Sequence, residues 1–137
     1  MSQKTILTGV CFLFALFVAL GCVKRGPRME AGRGAAKGTI TFDGKPLRGG
    51  MIVIVSAKDP MRRVAVTIKP DGTFSVADAP TGEVVIAVDN ESQKNNNPQA
   101  YVPLPAKYRD IKTSGLKGTV VENAEEGQAL KIELKSK

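Results

Sequence analysis

Two groups of residues in this chain carry side chains that could do chemistry, and they lie far apart in sequence. The first is a single thiol, Cys22, directly after the apolar run Phe12 to Gly21, FLFALFVALG. A thiolate is a nucleophile, so a cysteine at this place is a candidate for covalent modification. The second is the stretch from Asn90 to Gly115, which holds Tyr101, Lys107, Tyr108 and Arg109, with Glu91, Asp110 and Ser114 on the same segment. Tyrosines flanked by cations could bind a glycan or a peptide by stacking and charge. Ser114 with Lys107 and a carboxylate, Asp110 or Glu91, would be the place to look for acyl transfer. That reaction needs a buried lysine of depressed pKa, and a Thr-Ser-Gly turn does not require one. The chain has no histidine. A histidine base, a Ser-His-Asp or Cys-His arrangement and a histidine-ligated metal are therefore excluded. Asp71 lacks the neighbouring carboxylates of a calcium loop and reads as a turn residue. The expectation is a protein without catalysis, cofactor or metal.

The elements that would deliver Cys22 read as an address. Lys4 supplies a short positive start, Ile6 to Leu20 an apolar core, and Ala19-Leu20-Gly21 a small-residue approach to a processing site. Spanning a bilayer takes roughly 20 apolar residues, and this run is shorter and interrupted by Thr8 and Gly9. An uncleaved anchor and an ordinary signal peptide are the alternatives. Val18-Ala19-Leu20-Gly21-Cys22 resembles the bacterial lipobox, with Ala19 where leucine is commonest. That resemblance implies cleavage before Cys22, a diacylglyceryl group on its sulfur and often an acylated amine. Each buried methylene contributes about 0.8 kcal/mol, so one chain holds marginally and two or three hold permanently. Val23, where aspartate would mark inner-membrane retention, implies outer-membrane sorting. The implied location is the cell envelope, with the domain outside the cytoplasm.

With residues 1–21 removed, 22–36 form a lipidated cysteine and basic linker, and 37–137 a single domain. Cys11 leaves with the signal, so the remaining domain must be held by apolar packing without a disulfide. The formal charge of +7 falls to +6 with the loss of Lys4. The excess is uneven: Lys24, Arg25, Arg28, Arg33 and Lys37 crowd the beginning, opposed by Glu30. Outside the cytoplasm such a patch is a solvated tether or faces anionic lipid headgroups or acidic glycan, and nucleic acid is not an expected partner. Gly26, Pro27, Gly32 and Gly34 mark Val23 to Ala36 as flexible.

From Lys37 onward, short β-branched runs alternate with turn signals and no helical stripe appears, which is an all-β pattern. Strands are predicted at Gly38–Phe42, Met51–Ala57, Arg63–Lys69, Thr73–Ala77, Glu83–Val88, Gly118–Glu122 and Ala129–Lys135. The continuous MIVIV of Met51–Val55 predicts a central strand covered on both sides. Pro70-Asp71-Gly72 predicts a hairpin between the third and fourth strands. Asp89 to Ala100, DNESQKNNNPQA, reads as a mobile polar loop, and Tyr101 to Pro105 as extended chain outside any sheet. About seven strands make an antiparallel β-sandwich the economical solution. Its open edges could accept a further strand.

Five segments together resemble one family. They are Lys37-Gly-Thr-Ile-Thr-Phe-Asp-Gly-Lys-Pro-Leu47, Lys69-Pro-Asp-Gly-Thr-Phe74, Pro80-Thr-Gly-Glu83, Leu104-Pro-Ala-Lys-Tyr108 and Thr113-Ser-Gly-Leu116. The chain resembles small bacterial lipoproteins that carry a carboxypeptidase regulatory-like, transthyretin-like (Ig-like) β-sandwich. The resemblance implies about seven strands in two sheets behind a lipid anchor in the envelope. Transthyretin-like hydrolases of hydroxyisourate use histidines that this chain lacks. The function expected is a tethered, non-catalytic structural or interaction module. The alternative is a glycan- or peptide-binding module using residues 90–115, with an envelope protein or glycan as partner. For Tyr108 two readings stay open: an exposed binding platform, or a ring packed under the loop with its hydroxyl on backbone.

Overall fold

The computed structural model describes residues 32–122 and 128–137. The signal segment, Cys22, most of the linker and the greater part of the acidic turn 122–127 lie outside the described residues. Among the described residues eight strands form two sheets: β1 Arg33–Phe42, β2 Lys45–Pro46, β3 Met51–Ser56, β4 Arg63–Thr67, β5 Thr73–Pro80, β6 Gly82–Asp89, β7 Leu116–Val120 and β8 Gln128–Leu134. One sheet is centred on β1, with β5 and then β2 along one flank and β8 along the other, and the second runs β4-β3-β6-β7. The molecule is an all-β sandwich, as the alternation predicts. Among the described residues no helix is long and apolar enough to cross a membrane.

The inward positions are those the period-two pattern selects. Ile40, Ile52, Ile54, Phe74, Val84, Ile86 and Leu134 are buried between the sheets, with Leu130 and Ile132 completing the face of β8. Shortening Ile54 or Ile86 to alanine would cost about 2–5 kcal/mol in lost transfer energy and cavity. Asp43 and Gly44 both have positive φ, 47° and 81°, which is the mirror-image turn a two-residue hairpin needs, and they join β1 to β2.

Four expectations are corrected by this architecture. First, β1 begins at Arg33, so Arg33–Ala36 belong to the sheet and not to the linker. Arg33 pairs with Pro80, Gly34 with Ala79 and Ala36 with Val76, with a register shift between Gly34 and Ala36. Second, β4 and β5 are not a hairpin. The turn closes locally, Lys69 N–H donating to Thr73 O at 2.8 Å, but β4 pairs with β3 and β5 with β1. The turn therefore carries the chain from one sheet to the other. Third, β8 lies parallel to β1 from Ala36↔Gln128 to Phe42↔Leu134, so that sheet is mixed. Gly38 makes room for this, since a side chain there would collide with the Leu130 carbonyl. Fourth, β3 is central but not covered on both sides: Ile52 and Ile54 are buried, while Met51 on the outer face is 46% exposed and Val53 is half-buried.

Candidate functional site

The connection from β6 to β7 is long and polar, yet it is structured. It leaves β6 through Asn90, whose side chain is 1% exposed and donates through Nδ2 to Val102 O at 2.6 Å. That bond ties the start of the connection to the extended Tyr101–Pro105 segment. Between them Gln93–Asn96 form one turn of helix, α1, where the sequence predicts a mobile loop. Leu104 and Ala100 turn inward and are buried, which gives this polar segment its apolar hold on the core. A 3₁₀ turn follows over Ala106–Arg109.

This turn orients the candidate binding residues in opposite directions. Tyr108 points in and is 5% exposed, as part of the core cluster. Its hydroxyl donates to Lys135 O at 3.1 Å and accepts from Lys135 N–H at 3.0 Å. The phenol thus holds the chain where it leaves β8, and the packed reading of Tyr108 is the one the geometry supports. Lys107 and Arg109 point out and are exposed. Lys107 Nζ sits 4.9 Å from the centre of the Tyr108 ring, a cation–π distance. Arg109 pairs with Glu91, and the same Glu91 Oε1 accepts from the half-buried Tyr101 hydroxyl at 2.9 Å. The bond to Glu91 pushes the Tyr101 phenol above its ordinary pKa, because ionisation would break it and set two anions side by side.

Ser114 is also turned inward. It is 5% exposed and donates through Oγ to Ile86 O at 2.6 Å, while accepting from Leu116 N–H at 3.3 Å. The hydroxyl therefore splices the end of the connection onto β6 and opens β7. Asp110 is a turn former: its Oδ1 accepts from Lys112 N–H at 2.8 Å and its backbone carbonyl from Ser114 N–H at 2.8 Å. Of the residues named for acyl transfer, Ser114 and Asp110 shape the connection, Glu91 is shared by Tyr101 and Arg109, and Lys107 lies exposed over the Tyr108 ring. Among the described residues no three His, Cys, Asp or Glu side chains converge as metal ligands.

The structure brings Tyr101 and Arg109 together through Glu91, and Lys107 onto Tyr108. Asn90 and Ser114 prove to be structural anchors that residue type alone did not reveal. For Asn90 the run NESQKNNN hides the one asparagine that is buried. Shallow hollows of about 370 Å³ and 360 Å³ open on the outer faces of the two sheets, one bordered by Glu83, Val85 and Lys117, the other by Lys37, Thr39 and Ser75.

No protein-family model matches the chain, and no curated protein matches it in sequence. Solved structures with partial likeness to the chain include two from Bacillus. The TIE protein of Bacillus anthracis is 20% identical, with a TM-score of 0.43, over 76% of this chain and 16% of its own length. The major pilin subunit of Bacillus cereus is 13% identical, with a TM-score of 0.40, over 76% of this chain and 30% of its own length. The chain spans less than a third of either protein.

Proposed function

We propose that the chain is a lipid-anchored module of the bacterial cell envelope that works through contact and catalyses no reaction. The observation that carries this reading is the engagement of the reactive side chains of the 90–115 connection. Ser114 holds Ile86 O, Tyr108 holds both backbone groups of Lys135, and Glu91 is shared by Tyr101 and Arg109. Ser114, the nucleophile of the segment, donates its hydroxyl proton to a backbone carbonyl and accepts from a backbone N–H. The lipobox-like Val18–Cys22 supports the anchor, and the fold begins at Arg33, so a short tether would keep the sandwich close to the bilayer. Resemblance to carboxypeptidase regulatory-like lipoproteins supports the same location.

A second reading is favoured by one feature, the exposure of Lys107 and Arg109 beside the half-buried Tyr101. These three could grip an acidic or carbohydrate ligand, with Tyr108 contributing only the ring face beneath Lys107.

The test is the intact mass of the membrane-extracted protein beside a Cys22→Ser control. The proposal requires a chain beginning at residue 22 with acyl mass added, and a serine variant that stays unprocessed. An unmodified Cys22 would overturn the anchor. Substituting Lys107 and Arg109 by alanine should leave envelope association unchanged, and loss of a copurifying glycan or peptide would move the function to the second reading.

A further inference from the structure

Among the described residues, the ladder between β3 and β4 leaves a row of backbone groups unpaired on the far side of β4. Ile68 N–H donates to Gly50 O at 2.9 Å and Ser56 N–H to Arg62 O at 2.9 Å. In an antiparallel pair the residues that bond a given neighbour alternate. With Ile52↔Val66 and Ile54↔Val64 in register, the even-numbered residues of β4 therefore face β3. The N–H and C=O groups of Arg63, Ala65 and Thr67 face outward, and these three residues are exposed. No other described strand pairs with this edge. This edge, RVAVT, holds no proline, lysine or bulge, and its one charge is Arg63 at the end.

The order of residues along β4 is self-complementary. We infer that β4 is the pairing edge for a second copy of this chain, joined antiparallel about a two-fold axis through Ala65. In that register Ala65 exchanges two hydrogen bonds with its counterpart, and Arg63 exchanges two with Thr67 at each end. The six groups on each edge are satisfied, and no two like charges stand opposite. Val64 meets Val66 on the inner face, where both are half-buried and would lose further exposed surface. Continuing the register sets Met61, 88% exposed, across from Lys69 of the other copy. The aliphatic stem of lysine can cover such a side chain.

The pairing is compatible with the anchor but does not depend on it. A two-fold that reverses β4 sets the two tethers at opposite ends of the dimer. Eleven residue steps separate Cys22 from Arg33. At about 3.5 Å each, this tether reaches the bilayer from either end when the strands lie along the surface.

The test uses the full chain extracted from membranes in mild detergent, as wild type, as Ala65→Glu and as Ala65→Lys, followed by sedimentation over a range of concentration. On the two-fold each variant meets its own charge, so dimerisation should weaken about tenfold or more. An equimolar mixture of the two variants pairs opposite charges and should recover the dimer, a result that misfolding cannot produce. A wild type that stays monomeric throughout, or charged variants that dimerise as the wild type does, would overturn the inference. A mixture no tighter than either variant alone would overturn it as well.

Discussion

Along the connection from Asn90 to Gly115, side chains that could have met a ligand hold backbone groups of the protein itself. Along the outer edge of β4, backbone groups that a sheet would normally pair hold nothing among the described residues. Asn90 reaches Val102, Ser114 reaches Ile86 and Tyr108 closes on Lys135, so three segments are locked by three side chains. Arg63, Ala65 and Thr67 lie in an ordered strand with one whole edge open. A polar, tyrosine-bearing loop attracts attention as a site, but here its polarity is structural. The capacity for association lies in main-chain atoms, which residue type does not advertise.

The comparison breaks first at Tyr108. If its ring and hydroxyl lock the connection, Tyr108→Ala should cost about 3–5 kcal/mol in chemical denaturation. Tyr108→Phe should cost about 1–3 kcal/mol, because Lys135 N–H and C=O lose their partner. A Tyr108→Ala protein with unchanged stability and lost ligand capture would show a binding platform instead. Ser114→Ala should cost about 1–3 kcal/mol by stranding the Ile86 carbonyl. No catalytic readout is expected to accompany that loss.

The exposed cluster is a weaker lock. Arg109→Ala should change stability by about 0–1 kcal/mol, with the difference fading as salt is added. Glu91→Gln should bring the Tyr101 phenol back toward its ordinary value in an ultraviolet titration. The sign follows from the raised pKa. The folded state favours the neutral phenol, so the contribution is full below the ordinary tyrosine value and is lost as pH rises through the raised one. Along β4 the effect of proline should follow parity. Ala65→Pro loses an N–H that faces outward and should cost less than Val66→Pro, which also loses a bond to β3. If Ala65→Pro costs more than Val66→Pro, the parity assigned to β4 is wrong.

Much of this fold is legible in the alternation of apolar residues. Val64, Val66 and Ile68, then Phe74 and Val76, then Leu130, Ile132 and Leu134 all face inward as their spacing dictates. What the alternation leaves open is which strand neighbours which. Pro70-Asp71-Gly72 reverses the chain with the same local hydrogen bonds whether the strands after it pair or part, so the crossover between sheets resembles a hairpin. The alternation of β8 is equally blind to strand direction, since an edge strand buries one face in either sense. Arg33–Ala36 lack branched residues and become strand through pairing with β5, with β8 joining on the other side only at Ala36. Of the proposed site, residue type marked Tyr101, Lys107, Tyr108 and Arg109, but the turning of Tyr108 inward and of Lys107 and Arg109 outward depends on the 3₁₀ turn over Ala106–Arg109. The anchor at Cys22 rests on sequence, since it lies outside the described residues.

Amide hydrogen exchange, read residue by residue along β4 in dilute and then in concentrated protein, tests the contrast most directly. Val64 and Val66, bonded to β3, should be protected at every concentration, whereas Arg63, Ala65 and Thr67 should exchange freely when dilute and become protected as copies pair. Free exchange of those three amides at all concentrations, or their protection at the highest dilution, would contradict the account.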